Sequence, residues 1–256
     1  MSVTRVLRIE HDGTARYAVE SGGACMLIEG DVFAGPPFRT GANVVPTRIL
    51  SPVTPSKIVA IGLNYKDHAA EMGKPLPAEP LMFLKPSTAV IGPGEAIRLP
   101  AGAGRVDHEA EMGVVIGARA SRVAAAEALD YVLGVTCLND VTARDLQRKD
   151  VQYTRGKGFD TFAPIGPCIA IGLDPSALDI EGSVNGEIRQ SSNTRQLIFS
   201  VAEIVAFVSS VMTLLPGDVI ATGTPSGVGP LNAGDRVAVT IAGIGELSNT
   251  VTGGHE

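Results

Sequence analysis

The sequence predicts a β-rich α+β fold, a mixed barrel or roll in which helices are few. Three observations lead there. Short runs rich in Val and Ile recur along the chain, each bounded by Gly, Pro, Asn or Asp turn signals. The 256 residues include 30 glycines and 17 prolines, which interrupt the helical period too often for a helical layer. No strand–GxGxxG–helix unit and no GxxxxGK(S/T) loop occurs, so a doubly wound nucleotide-binding sheet is disfavoured.

The elements follow in order. "VLRIE", "ARYAVE" and "ACMLIEGDVF" read as strands separated by "HDG" and "SGG" turns, a small N-terminal β domain over residues 1–50. "LSPVTPSK", with Pro52 and Pro55, reads as a linker, and residues 57–253 as one larger domain. Its strand candidates are 58–63, 81–84, 109–116, 132–138, 167–171, 180–184, 218–222 and 236–241. The clearest helix is "SVAEIVAFVSSVMTLLPGD": Ser200 and Glu203 form an S-x-x-E capping box, and Pro216-Gly217 stops the segment. Residues 123–130 and 142–149 are shorter helix candidates.

Composition narrows the function classes. The net charge of −6 leaves no basic surplus for a nucleic-acid partner. No apolar run reaches the ~18 residues of a membrane span, and "MSVTRVLRIEHDG" carries charges where a signal peptide needs an apolar core. A cytoplasmic protein is expected. Cys25, Cys137 and Cys168 are odd in number and widely spaced, so buried free thiols are expected rather than a disulfide or zinc framework.

Four stretches could carry chemistry. In "HEAEMGVVIG", Glu109 and Glu111 are two residues apart and so share one strand face. Two such carboxylates repel unless a cation neutralises them, although a solvated strand edge would also accommodate them. The apolar run that follows and Asp140, at the end of the apolar "YVLGVTCLND", favour an all-oxygen divalent-metal site. In "GLNYKDHAAE", His68 and Glu71 are three apart, on one face of a helical turn, where a carboxylate can orient an imidazole as a general base. A surface charge pair has the same spacing. "NDVTARDLQRKDVQYTRGKGFDTFAPIGP" gathers Arg144, Gln147, Arg155 and Lys157; Gly156 and Gly158 flank the lysine, which suggests close backbone approach. "ATGTPSGVGP" is a turn-rich loop without a G-x-S-x-G elbow, so Ser226 is a poor nucleophile; its amides and hydroxyls could bind a carboxylate, or it could be a structural turn.

Taken together and in order, "GLNYKDHAAE", "FLKPST", "HEAEMGVVIG", "NDVTARDLQ", "RGKGFDTFAPIGP", "VNGEIRQ" and "ATGTPSGVGP" resemble the fumarylacetoacetate hydrolase family. The resemblance implies a mixed β-sandwich roll, a homodimer and a Mg²⁺ or Mn²⁺ cofactor. It implies metal ligands at Glu109, Glu111 and Asp140, and a catalytic dyad of His68 and Glu71. Lys157 and Thr224 are implied at the oxo-acid end of the substrate, with Gln147 and Lys85 as further contacts. Gly156 departs from the alanine expected before the lysine, which could loosen that loop. The implied substrate is a small anionic 2-oxo or 2-hydroxy-dienoic acid of the kind met in aromatic-compound catabolism. The expected reaction is hydrolysis of the C–C bond of an acylpyruvate. Isomerisation of a 2-hydroxyhepta-2,4-diene-1,7-dioate, or decarboxylation of a 5-oxopent-3-ene-1,2,5-tricarboxylate or of oxaloacetate, is the alternative. A non-catalytic metal- and oxo-acid-binding protein would have lost the base or a ligand, and all five residues are present.

Overall fold

The structure, a computed structural model, describes residues 3–254. The first stretch holds β1 (Thr4–His11), β2 (Thr14–Ser21), β3 (Ala24–Glu29), β4 (Arg39–Val44) and β5 (Arg48–Leu50). There follow β6 (Ile58–Gly62), α1 (Lys66–Glu71), β7 (Leu81–Lys85), β8 (Val90–Ile91), β9 (Ala96–Leu99), β10 (Val106–His108), β11 (Ala110–Ile116) and β12 (Val132–Asn139). Next come β13 (Thr142–Ala143), α2 (Arg144–Asp150), α3 (Thr154–Lys157), β14 (Ala163–Ile171), β15 (Asp179–Val184) and β16 (Glu187–Asn193). The chain closes with α4 (Val201–Val211), β17 (Val219–Ala221), β18 (Gly229–Pro230), β19 (Arg236–Ile241) and β20 (Gly245–Gly253).

A central sheet runs in the order β4-β3-β2-β1-β14-β12-β11-β17-β6-β7, with β5 beside β1 and β8 beside β14. A second sheet, β16-β15-β19-β20-β9, packs on it, and β13-β10-β18 forms a small third one. The mixed β-rich roll expected from the sequence is the fold observed. The N-terminal strands join the central sheet directly, since β1 pairs antiparallel with β14.

Burial follows the two-residue period of a strand. In β11, Met112, Val114 and Ile116 point into the core shared with the second sheet, beside Ile180, Val239 and Leu247. Val115 faces the opposite core with Ile58, Ala60, Ile165 and Val219. With both faces covered, β11 and β14 are buried along their whole length, which is why they read as near-continuous apolar runs.

The structure departs from the sequence reading in several places. The 123–130 segment is a 3₁₀ helix over Ala125–Tyr131. The capping box at Ser200 and Glu203 is present, with Glu203 Oε2 accepting from Ser200 N at 2.7 Å. The helix it opens ends at Val211, before the proline, because Leu214 is drawn into a bridge with Ala120. Strands β4, β5, β8, β9, β10, β13, β16, β18 and β20 lie outside the strand candidates. β16, "EIRQSSN", is a largely exposed edge strand without apolar alternation.

Candidate active site

The metal-ligand candidates meet because of strand register. Ala110 pairs with Asn139 across β11 and β12. Glu109 occupies the break between β10 and β11, where its carbonyl accepts from Asp140 N at 2.9 Å and its own N donates to Asn139 Oδ1 at 3.0 Å. Glu111 lies one pleat further along the same face. The three carboxylates are buried, and one oxygen from each lies within 4.8 Å of the others.

Their partners differ. Glu109 accepts from Lys157 Nζ at 2.7 Å on Oε2 and from Arg144 on Oε1. Asp140 accepts from Lys157 Nζ at 2.5 Å on Oδ2 and from Lys85 Nζ at 2.5 Å on Oδ1. Among the described residues no cation lies within hydrogen-bond reach of Glu111; Gly223 N donates to its Oε2 at 2.8 Å. Gly223 has φ +101°, and a Cβ there would lie 2.8 Å from Asn64 Cβ, so only glycine brings this amide to Glu111.

Charge follows from these contacts. Burial opposes ionisation of Glu109, but Arg144 and Lys157 outweigh it and hold the group far below the ordinary carboxylate range. For Glu111 burial comes first, Asp140 and Glu109 add repulsion, and its pKa stands well above the ordinary value. Burial also penalises the Lys157 ammonium, yet Asp140 and Glu109 keep its pKa raised. Lys85 is lowered by burial, with Asp140 only partly compensating. Three buried carboxylates of which one lacks a cation are a donor set suited to a hard divalent ion, whose arrival would let Glu111 ionise.

His68 and Glu71 stand on another wall of the same cavity, a cleft of about 480 Å³. His68 Nδ1 and Glu71 Oε2 are 2.9 Å apart, and Gly227 N donates to the other Glu71 oxygen at 3.1 Å. A six-residue helix such as α1 does not persist on its own length. Tertiary bonds hold it: Asp67 accepts from Ser192 Oγ at 2.5 Å, and Asn64 Nδ2 donates to Thr222 O at 2.8 Å.

The sequence matches the family model for the fumarylacetoacetate (FAA) hydrolase C-terminal domain over residues 57–252. The chain belongs to the fumarylacetoacetate hydrolase family. A relative from Archaeoglobus fulgidus, described only as an uncharacterized protein, is 60% identical over 203 residues, 79% of this chain and 81% of its own. The crystal structure of 2-hydroxyhepta-2,4-diene-1,7-dioate isomerase from Mycobacterium marinum superposes with a TM-score of 0.91 at 42% identity, covering 98% of this chain and 100% of that one. Maleylpyruvate hydrolase from Sphingobium sp. SYK-6 superposes at 0.80 with 33% identity, again over 98% and 100%.

Of the other residues that the family resemblance implied, Gln147 and Thr224 line the cavity. Gln147 Oε1 accepts from Arg144 at 3.0 Å. The Thr224 hydroxyl donates to Ala110 O at 2.9 Å and accepts from Gln190 Nε2 at 2.8 Å, so its proton is committed to the fold. Lys85 is fully buried behind Asp140 and bonded to Val141 O at 3.1 Å, a support of the cluster rather than a residue of the cavity wall. The loosening expected of Gly156 is not what the backbone shows. A Cβ there would lie 2.9 Å from Gln147 N, so the glycine lets α3 pack tightly against α2.

Sequence reasoning assigned no role to Arg144 and overlooked Asp107. Asp107 is buried and accepts from Arg144 Nε at 2.8 Å. The signal was present: Asp107, Glu109 and Glu111 have the same parity. His108, of the opposite parity, turns away, and its Nδ1 lies 3.1 Å from Gln190 Oε1.

Proposed function

We propose that the chain is a divalent-metal-dependent hydrolase that cleaves the C–C bond of an acylpyruvate-type 2-oxo acid. The observation that carries this reading is the His68–Glu71 pair, hydrogen-bonded at 2.9 Å on the wall of the cavity that also exposes the three-carboxylate cluster. Glu109, Glu111 and Asp140 would hold Mg²⁺ or Mn²⁺, which supplies Lewis acidity at the oxo-acid oxygens when bound. Glu71 accepts the Nδ1 proton of His68 and so leaves Nε2 free to take a proton from water. The hydroxide equivalent adds to the distal carbonyl of the substrate. The C–C bond then breaks, its electron pair passes to the 2-oxo acid fragment, and that fragment leaves as pyruvate after protonation. Lys157 adds positive charge beside the oxo-acid end, fixed by Phe83, whose ring centroid is 5.0 Å from Nζ.

A second reading is favoured by the 42% identity to the 2-hydroxyhepta-2,4-diene-1,7-dioate isomerase. The same imidazole could carry a proton between two carbons of a 2-hydroxy-dienoate without activating water. A product assay separates the readings. Acetylpyruvate, fumarylpyruvate, oxaloacetate and a 2-hydroxyhepta-2,4-dienedioate are each supplied with and without EDTA. Acetate and pyruvate from acetylpyruvate, abolished by EDTA, is the expected result. A rearranged dienoate without acylpyruvate cleavage selects the second reading, and turnover indifferent to EDTA overturns the metal assignment.

A further inference from the structure

The proposed reaction leaves the motif "VNGEIRQ" without a role. Its Gln190 stands on β16, a largely exposed edge strand, and is itself fully buried. Both sides of the carboxamide are fully used. Oε1 accepts from Ala110 N at 2.9 Å and lies 3.1 Å from His108 Nδ1. Nε2 donates to Thr224 Oγ1 at 2.8 Å and to Pro225 O at 2.9 Å. The Thr224 hydroxyl in turn donates to Ala110 O at 2.9 Å, so Gln190, Ala110 and Thr224 close a ring of three hydrogen bonds. Gly182 makes room for it: a Cβ there would lie 2.8 Å from Gln190 Oε1 and 3.0 Å from Ala110 Cβ. The ring sits where the sheet ends. The ladder of β11 with β17 stops at the pair Gly113–Ala221. Beyond it the chain leaves the sheet as a strap, residues 222–227. Thr222 N still donates to Met112 O at 3.1 Å, Gly223 N donates to Glu111 at 2.8 Å, and Gly227 N donates to Glu71 at 3.1 Å. The strap therefore runs from a metal-ligand candidate to the dyad. On the edge that β17 no longer covers, the side chains of Gln190 and Thr224 hold Ala110, the residue between Glu109 and Glu111.

We propose that Gln190 is a positioning residue for both halves of the site. Through Ala110 it fixes the spacing of Glu109 and Glu111; through Thr224 and Pro225 it fixes the strap that sets Glu71 against the cluster. It does not line the cleft and acts only through these neighbours. The role rests on the reading of the cleft above, but Mg²⁺ affinity tests it apart from cleavage.

The test measures Mg²⁺ affinity by calorimetry, kcat and KM on acetylpyruvate, and melting temperature in Gln190→Met, Gln190→Glu and Asn249→Leu. Asn249 is the control: a buried carboxamide on β20 whose Nδ2 donates to Gly92 O and Glu95 O, both at 2.9 Å, and which does not line the cleft. Groups that orient metal ligands from behind are worth about tenfold to a hundredfold in affinity or activity, so Gln190→Met should bind Mg²⁺ weaker by about that factor. Gln190→Glu keeps an oxygen for Ala110 N and, as a carboxylate, has no N–H for the strap. It should bind Mg²⁺ more tightly than Gln190→Met, yet lose kcat with KM unchanged. Asn249→Leu should melt below wild type and match it in Mg²⁺ affinity, kcat and KM. Three results overturn the proposal: Mg²⁺ affinity of Gln190→Met equal to wild type, an equal loss of affinity in Asn249→Leu, or an undiminished kcat in Gln190→Glu. If Gln190→Met does not fold, the kcat of Gln190→Glu decides. Wild type that binds Mg²⁺ and leaves acetylpyruvate intact sinks the hydrolytic reading, and the Mg²⁺ comparison still decides the role of Gln190. Wild type that binds no Mg²⁺ overturns both.

Discussion

Lys157 bridges two of the three clustered carboxylates, and replacing it with methionine tests what that bridge contributes. Its Nζ touches one oxygen of Glu109 at 2.7 Å and one of Asp140 at 2.5 Å, both within the cluster that would ligate a divalent ion. Removing one partner of a buried ion pair costs about 3–5 kcal/mol, because the other charge stays buried. The lower end applies here, since Glu109 keeps Arg144 and Asp140 keeps Lys85. At about 2–4 °C per kcal/mol for a chain of this size, a loss of about 3 kcal/mol lowers the melting temperature by about 6–12 °C. Differential scanning calorimetry in EDTA reads this directly. Added Mg²⁺ should then raise the melting temperature of Lys157→Met more than that of wild type, because in wild type the ion competes with the ammonium for the same oxygens. A metal-free melting temperature within about 2 °C of wild type would refute the reasoning. So would an Mg²⁺ response no larger than that of wild type.

Two further outcomes follow from the site. His68→Ala should lose hydrolysis while keeping Mg²⁺ affinity, because His68 touches Glu71 and none of the three carboxylates; undiminished acylpyruvate turnover would exclude it as the base. Metal affinity should rise with pH. The pKa of Glu111 is raised in the folded chain by burial and by Asp140 and Glu109, so the stability it contributes is full below its ordinary value of 4.5 and fades as pH climbs through the raised value. Mg²⁺ displaces that proton, and calorimetry in buffers of different ionisation enthalpy should show proton release that diminishes toward high pH. Binding without proton release just above the ordinary value of 4.5 would contradict the raised pKa.

The parts of the molecule legible in the sequence are those governed by local rules. β11 could be read because burial on both faces leaves an unbroken apolar run, and the start of α4 because its capping box is a four-residue device. The carboxylate cluster was legible through parity and strand ends. What escaped depends on the third dimension. β16 has no apolar period because it is an edge strand, yet it supplies Gln190, which bonds His108, Ala110 and Thr224. Arg144 looked like one charge in a run until register placed Asp107 and Glu109 beside its guanidinium. The 3₁₀ conformation of Ala125–Tyr131 is likewise a tertiary outcome, since its composition suits an α-helix equally well.

The three carboxylates are chemically alike in sequence and unlike in the fold, and two isosteric changes expose the difference. Glu109 is held as an anion by Arg144 and Lys157, so Glu109→Gln takes one anionic partner from each, Arg144 keeping Asp107 and Lys157 keeping Asp140, and should lower metal-free stability by about 3 kcal/mol. Glu111 is hydrogen-bonded to no cation among the described residues, and burial with Asp140 and Glu109 outweighs the attraction of Lys157 and favours a proton on it. A glutamine there keeps an oxygen for Gly223 N and is neutral without needing a proton, beside Asp140 and Glu109. Glu111→Gln should therefore melt at or above wild type in EDTA. Both changes should abolish Mg²⁺ binding by calorimetry, because each takes one anionic ligand from an all-oxygen set. Stability and metal binding then move apart in one variant and together in the other, a pattern that a merely structural acidic cluster would not produce. If Glu111→Gln destabilises the metal-free chain as much as Glu109→Gln, Glu111 has a cationic or hydrogen-bonding role that these contacts do not contain. If Mg²⁺ affinity survives Glu109→Gln, Glu109 is no ligand, and the cluster's charge serves the fold alone.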